Sequence, residues 1–282
     1  GTSRAVTGQS LFTSNEEEIA EVSEKGVLST GQRGGLFTVM VRFGGKIATL
    51  HGAVPMEFQG AQREVVIRRL DELAADFSDS PFDQLLWKQW RRLGIAPSPE
   101  TDDATFIRRV TIDICGSLPT TEEIRKYLAD DAPDKRVRLI DRLLERPEYA
   151  SYFALKWADI LRVDKEIIKP VGTIAMTRWL TDQLSNNVPY DQFVRKIVTV
   201  QGNTLSQSPA AFHLVHNNPE KLVRSVSQVF LGVRIECAQC HHHPFEDWSQ
   251  ADYAAFGGFF TGISRKGSTG GGTKIFDKGG QD

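Results

Sequence analysis

Residues Glu236 to Trp248 read ECAQCHHHPFEDW, and within them Cys237, Cys240 and His241 stand in the order C-x-x-C-H. Two thiols one helical turn apart can add across the two vinyl groups of a haem, and the imidazole that follows can reach the iron from one face. On this reading Cys237 and Cys240 are the covalent anchors of a haem c and His241 is its proximal ligand. Other chemistries use the same residues. Cys237, Cys240, His241 and His243 are a four-ligand set for zinc or another transition metal, although zinc sites ordinarily draw their second ligand pair from a distant segment. The two thiols could instead form a redox or structural disulfide, or the cluster could be a structural turn with solvated histidines.

A haem iron held by His241 has a second axial position. Beyond His243 the sequence contains neither Met nor His, so that ligand comes from upstream, from another domain, or not at all. The upstream candidates are Met176, His213 and His216. The two histidines lie in AAFHLVHNNPE, ahead of the helix that leads into Cys237, whereas Met176 sits on a helical stripe where core filling is the plain alternative. An open sixth position favours ligand binding or peroxide chemistry over electron transfer. Phe245 and Trp248 could wall a haem edge, and Glu246 and Asp247 could orient a histidine. Cys115 ends an apolar stripe and reads as a small buried hydrophobe. The sequence carries no G-x-S-x-G, P-loop, H-E-x-x-H or G-x-G-x-x-G motif.

The elements that must position the cluster are mostly helical. From Pro81 to about Phe260 the apolar residues recur with a period near 3.6. PFDQLLWKQWRRLG places Leu85, Leu86, Trp90 and Leu93 on one stripe, with Gly94 as C-cap. Thr120 with Glu123, and Ser249 with Asp252, are capping boxes. Two helices meet near Pro147, carrying the stripe Val137, Ile140, Leu143, Leu144 and then Phe153, Trp157, Ile160 and Leu161. Asn218-Pro219 opens the helix that leads to Cys237. About nine helices are expected in this region.

The N-terminal part has period two instead. Phe37, Val39, Val41 and Phe43 alternate up to Gly44-Gly45, a two-residue hairpin signal, and the return strand starts at Lys46. Two shorter strands flank Glu24-Lys25-Gly26. These are part of a β-sandwich, too few to close one. The boundaries expected are a β portion over 1–57, a linker over 58–80, a helical domain over 81–262 and a Gly-rich flexible tail or linker over 263–282.

With 282 residues, 40% hydrophobic and 25% charged, and a net charge of −2, the composition is that of a globular protein without the basic excess that nucleic acid demands. No apolar run reaches the roughly 18–20 residues of a membrane span.

The run from Asp102 to Val163, together with PYDQFVRKIVTVQGNT and QVFLGVRIECAQCHHHPFEDWSQADYAAFGGFF, resembles the planctomycete cytochrome-like domain of unknown function over roughly residues 80–262. IAEVSEKGVLSTGQRGGLFTVMVRFGGKIATLHGAVP resembles the closing half of a bacterial group 2 immunoglobulin-like domain. The resemblance implies a mainly α protein, a multi-helix domain with a small N-terminal antiparallel immunoglobulin-like β portion. It implies export to the periplasm, cell surface or exterior, and a central place in a longer polypeptide. A histidine two residues after the motif histidine is common in the family, here His243, which keeps the zinc-like module open. The function expected is electron transfer by a c-type haem protein, with a redox partner protein or a missing C-terminal domain as its partner. The alternatives are a non-haem metal module, structural or supporting a hydrolase, and a structural or adhesion module of a cell-surface protein.

Overall fold

A computed structural model describes residues 4–57, 61–77, 80–241, 243, 246 and 248–280. The chain divides into two compact units, residues 1–100 with 242–247, and residues 101–241 with 248–282. The protein is mainly helical with small antiparallel sheets.

In the first unit five strands form among the described residues: β1 (Leu11–Ser14), β2 (Ala20–Val22), β3 (Leu28–Thr30), β4 (Gly35–Phe43) and β5 (Lys46–Val54). β1, β4 and β5 make one antiparallel sheet in that order, and β2 pairs with β3. The Phe43↔Lys46 register closes the β4–β5 hairpin over Gly44 and Gly45, both at positive φ, as the Gly-Gly signal requires. Ile19, Ala20, Phe37 and Val39 are the buried residues of this part. Two helices follow, α1 (Ala61–Asp76) and α2 (Pro81–Leu93). The expected linker over 58–80 therefore contains a helix of four turns; Trp87 of α2 donates from its indole nitrogen to the Leu70 carbonyl of α1 at 2.8 Å. The stripe on α2 is only partly buried. Leu85 and Leu86 are exposed, whereas Trp90 and Leu93 of the expected stripe are half-buried, together with Trp87.

The second unit contains α3 (Asp103–Cys115), α4 (Thr121–Leu128), α5 (Lys135–Leu144), α6 (Pro147–Ile160), α7 (Lys165–Ser185), α8 (Tyr190–Val198), β6 (Gly202–Asn203), α9 (Phe212–Val215), α10 (Pro219–Phe230), α11 (Gln250–Gly258), β7 (Ile263–Gly267) and β8 (Thr273–Asp277). Ten helices thus lie between Pro81 and Gly258 among the described residues, one of them the single turn α9, against about nine expected. The two capping boxes close as anticipated, Thr120 with Glu123 and Ser249 with Asp252. On α5 the buried pair is Leu139 and Leu143, while Val137 and Leu144 face solvent. Within α7 the backbone breaks at Lys169, φ 64° and ψ 159°. The ring of Pro170 bars the preceding residue from helical dihedrals and begins a second segment.

The main core is built on α6 and α7. α6 buries Ala150, Ala154 and Ala158, and α7 buries Ile168, Gly172, Met176 and Leu180, each set one turn apart. Small residues on one face let the two helices approach closely. Aromatic rings from α6, α7 and α8 close around them, Trp157 edge-on to Phe193 at 4.9 Å and Trp179 stacked on it at 5.6 Å. Cys115 is buried at the end of α3, as expected. α10 enters this core with Leu222, Val223, Val226 and Phe230 buried. Its cap is Asn218, whose side chain accepts from the Lys221 amide at 2.8 Å. Asn218→Ala is expected to cost about 1 kcal/mol in urea unfolding, since an orphan amide of the first turn loses its acceptor.

Residues 263–280 are not the flexible segment that their composition suggested. β7 and β8 pair antiparallel and β6 joins the far edge of β8. The glycines that read as disorder are turn residues. Gly271 and Gly272 hold φ of 86° and 73°, and a Cβ on Gly272 would collide with Asn203 and Leu205 beside β6. Among the described residues, no helix is long and apolar enough to cross a membrane.

Candidate functional site

The C-x-x-C-H sequence falls on a turn of 3₁₀ helix, Ile235–Gln239, that follows α10. Gly232, at φ 70°, allows the chain to leave α10, and the Val233 amide donates back to the Ser227 carbonyl at 3.1 Å. In a 3₁₀ helix residues three apart eclipse one another. Ile235 and Ala238 therefore share one face, and both are buried in the main core, Ala238 completely. Cys237 lies within the turn and Cys240 caps its end, and both are exposed and free of any disulfide. The turn is braced by an ion pair between Arg224 of α10 and Glu236, N to O 2.6 Å, both half-exposed. His241 follows Cys240 directly and is exposed.

The arrangement holds two exposed free thiols, three residues apart, on a turn whose other face, Ile235 and Ala238, is buried in the core. Accessible thiols three residues apart and free of any disulfide, followed by an imidazole, are a donor set that fits thioether attachment of a haem with histidine as axial ligand.

The other expected ligands lie elsewhere. His243 is buried, and its Nδ1 accepts from the Glu246 backbone amide at 3.1 Å. A neutral histidine that accepts at Nδ1 keeps its proton on Nε2, so coordination by His243 requires this bond to break. The orienting contact runs from the Glu246 backbone. Asp247 and Phe245 lie outside the described residues, and Trp248 is 37% exposed. Residues 242–247 group with the first unit, while Cys237, Cys240 and His241 belong to the second. Among the described residues, no three His, Cys, Asp or Glu side chains gather closely enough to hold a metal ion.

Met176, His213 and His216 are all interior. Met176, 1% exposed, is packed in the main core of α6, α7 and α10. His216 closes α9, and its Nδ1 lies 3.0 Å from the Ser225 hydroxyl of α10. Burial, then the charges of Arg162, His213 and Lys221, push its pKa down to about 4. Arg162 reaches that position because α6 ends on a left-handed residue, φ 55°, with the Val163 amide bonded back to Ala158. His213, 1% exposed, has no hydrogen-bond partner on either ring nitrogen. Burial, then the charge of Arg265, lowers its pKa to about 4; the carbonyls of Ile197 and Val198 oppose the shift without reaching ordinary hydrogen-bond geometry. Arg265 of β7 donates from Nε to the His213 carbonyl at 2.7 Å and from Nη2 to the His216 carbonyl at 2.9 Å. Its role was not visible in the sequence, because the strand that carries it read as tail.

Fold and site together define a mainly helical protein presenting a C-x-x-C-H turn at its surface. The family model described as PSCyt2, protein of unknown function (DUF1549), matches residues 81–265, and the chain belongs to that family. No curated protein and no solved structure matches the chain.

Proposed function

We propose that this chain is an exported c-type haem protein that carries electrons to or from a partner protein or a further domain of the same polypeptide. The observation that carries the reading is the 3₁₀ turn. Ile235 and Ala238 anchor it in the core, Cys237 within it and Cys240 at its end are exposed free thiols, and His241 follows. Each thiol would add across a vinyl group, sulfur bonding to one carbon and the thiol hydrogen passing to the other. His241 would supply the proximal nitrogen. The haem, once bound, would supply a one-electron couple, and the surface position of the turn suits transfer to a docked partner. The interior positions of Met176, His213 and His216 leave the sixth position to be filled from outside these three residues. The N-terminal strands, in this reading, are the closing part of an immunoglobulin-like domain that displays the helical domain outside the cytoplasm.

The testing experiment is an intact-mass measurement on protein matured in a compartment that attaches haem. The expected result is the polypeptide mass plus one haem, with a Soret band that survives denaturation. A colourless polypeptide of unmodified mass would sink the proposal, and one that retains zinc through gel filtration would replace it with the metal-module reading.

A further inference from the structure

A cleft of about 1000 Å³ lies within the second unit, where the end of α6 and the start of α7 face α9 and α10. Its size is at the upper end of small-molecule sites. Four cations line it, Arg162, Lys165, Lys221 and Arg224, against two carboxylates, Asp159 and Asp164. Two of these charges are already engaged: Arg224 pairs with Glu236, and Asp164 caps α7 through the Glu166 amide. Arg162 is exposed, and its guanidinium makes no hydrogen bond or ion pair among the described residues. The cleft also reaches His216, whose Nδ1 lies 3.0 Å from the Ser225 hydroxyl on the same lining. With Ser225 donating to Nδ1, the neutral ring carries its proton on Nε2. That Nε2 makes no hydrogen bond among the described residues, yet, unlike the ring nitrogens of His213, it is not sealed from solvent. Arg162 and Lys221 both act on this ring through their charges, and no carboxylate is among the groups that do. Two cations therefore converge on one imidazole in the wall of a cleft, with nothing negative to balance them there.

We infer that this cleft binds a small organic phosphate or sulfate ester, its oxyanion held by Arg162, Lys221 and the Nε2–H of His216. The guanidinium fork suits two oxygens of a tetrahedral oxyanion, and the ammonium and the imidazole N–H are single donors to the others. Val163, Ile167, Val215 and Val229 also line the cleft and can pack the organic part of the ester. Asp159 and Asp164 stand on the same lining and disfavour a second anionic group, so one oxyanion fits better than a polyanionic chain. None of Cys237, Cys240 or His241 lines this cleft, so the inference does not depend on the haem reading.

The probes are phenyl phosphate and phenyl sulfate, titrated at constant ionic strength in sodium chloride into the full chain labelled with ¹⁵N-histidine and followed by NMR. Saturable binding of at least one ester is expected, and the tighter of the two identifies the group. Binding should shift the His216 ring nitrogens and make the ring titrate at higher pH than in chloride alone, because an adjacent anion favours the charged imidazole. Arg162→Gln should weaken binding about tenfold, the worth of a charge-assisted hydrogen bond. Lys126→Gln removes an exposed cation outside the cleft and should change the affinity less than about two-fold. Should Arg162→Gln fail to fold, the wild-type His216 shifts decide the matter. No saturable binding of either ester, equal affinity of the two variants, or unmoved His216 nitrogens would each overturn the inference.

Discussion

Replacing Cys237 and Cys240 together by alanine is expected to abolish all denaturation-resistant Soret absorbance in protein matured with a haem-attachment system, with the fold intact. Both side chains project into solvent, so their loss opens no cavity, and the stability change should stay within about 0.5 kcal/mol. Each single variant should keep one thioether and hence a covalent haem at reduced yield. His241→Ala acts differently. It leaves both sulfurs in place, so haem stays attached, but the iron loses its proximal nitrogen and the spectrum becomes that of a weakly ligated haem. The contrast with the other face of the turn is the sharper check. Ala238 is completely buried, and Ala238→Leu forces a larger side chain into a packed core at a cost of roughly 1–3 kcal/mol. That variant should lose both stability and haem yield, because the turn that aligns the thiols is displaced. Absorbance after acid–acetone extraction, with thermal unfolding of the same samples, separates the two faces. Undiminished covalent haem in the double alanine variant would dispose of the attachment site.

The chain announces some of this architecture more clearly than the rest, and the difference is physical. Local signals were readable because they act locally. Thr120 with Glu123 and Ser249 with Asp252 satisfy orphan amides within one turn, and Gly44-Gly45 sets a hairpin by its own dihedrals. The thiol spacing was equally legible. Which side of the Cys237 turn faces the core was not, because the burial of Ile235 and Ala238 is set by how the turn packs against α10 and α11, and no local signal carries that. Leu85 and Leu86 misled for a related reason. A helical stripe tells which residues share a face, but tertiary contacts half-bury Trp87 beside Trp90 and Leu93 and leave the two leucines exposed. The largest gap is at 263–277. Glycine-rich composition reads as flexibility, yet Gly272 is needed for close approach to β6, and the hairpin it closes carries Arg265 to the His213 and His216 carbonyls. A contact made from a stretch taken for tail cannot be found from sequence periodicity.

The second large effect expected is acid lability of the helical unit, driven by His213 and His216. Both rings have pKa values near 4 in the folded chain, from burial first and then from the charges of Arg265 around His213, and of Arg162 and Lys221 around His216. In the unfolded chain each returns to about 6.5. The sign follows. Between these values the unfolded state binds more protons than the folded one, so stability is fully present above pH 6.5 and drains away as pH falls towards 4. Between pH 7.5 and 5 each histidine should remove roughly 2 kcal/mol, less than additively because the two also repel one another. Asp103, Glu123 and Glu148, whose pKa values their hydrogen-bond partners hold below the usual range, remain ionised over this interval and contribute little to its slope. Hydrogen exchange of the α8 and α10 amides reports on this unit directly, and protection should fall across that interval. In the double variant His213→Gln, His216→Gln the slope should flatten. An unchanged slope there, or ring titrations near 6.5 in the folded wild type, would mean that neither imidazole is held neutral by its surroundings, and the acid sensitivity would have to come from the carboxylates.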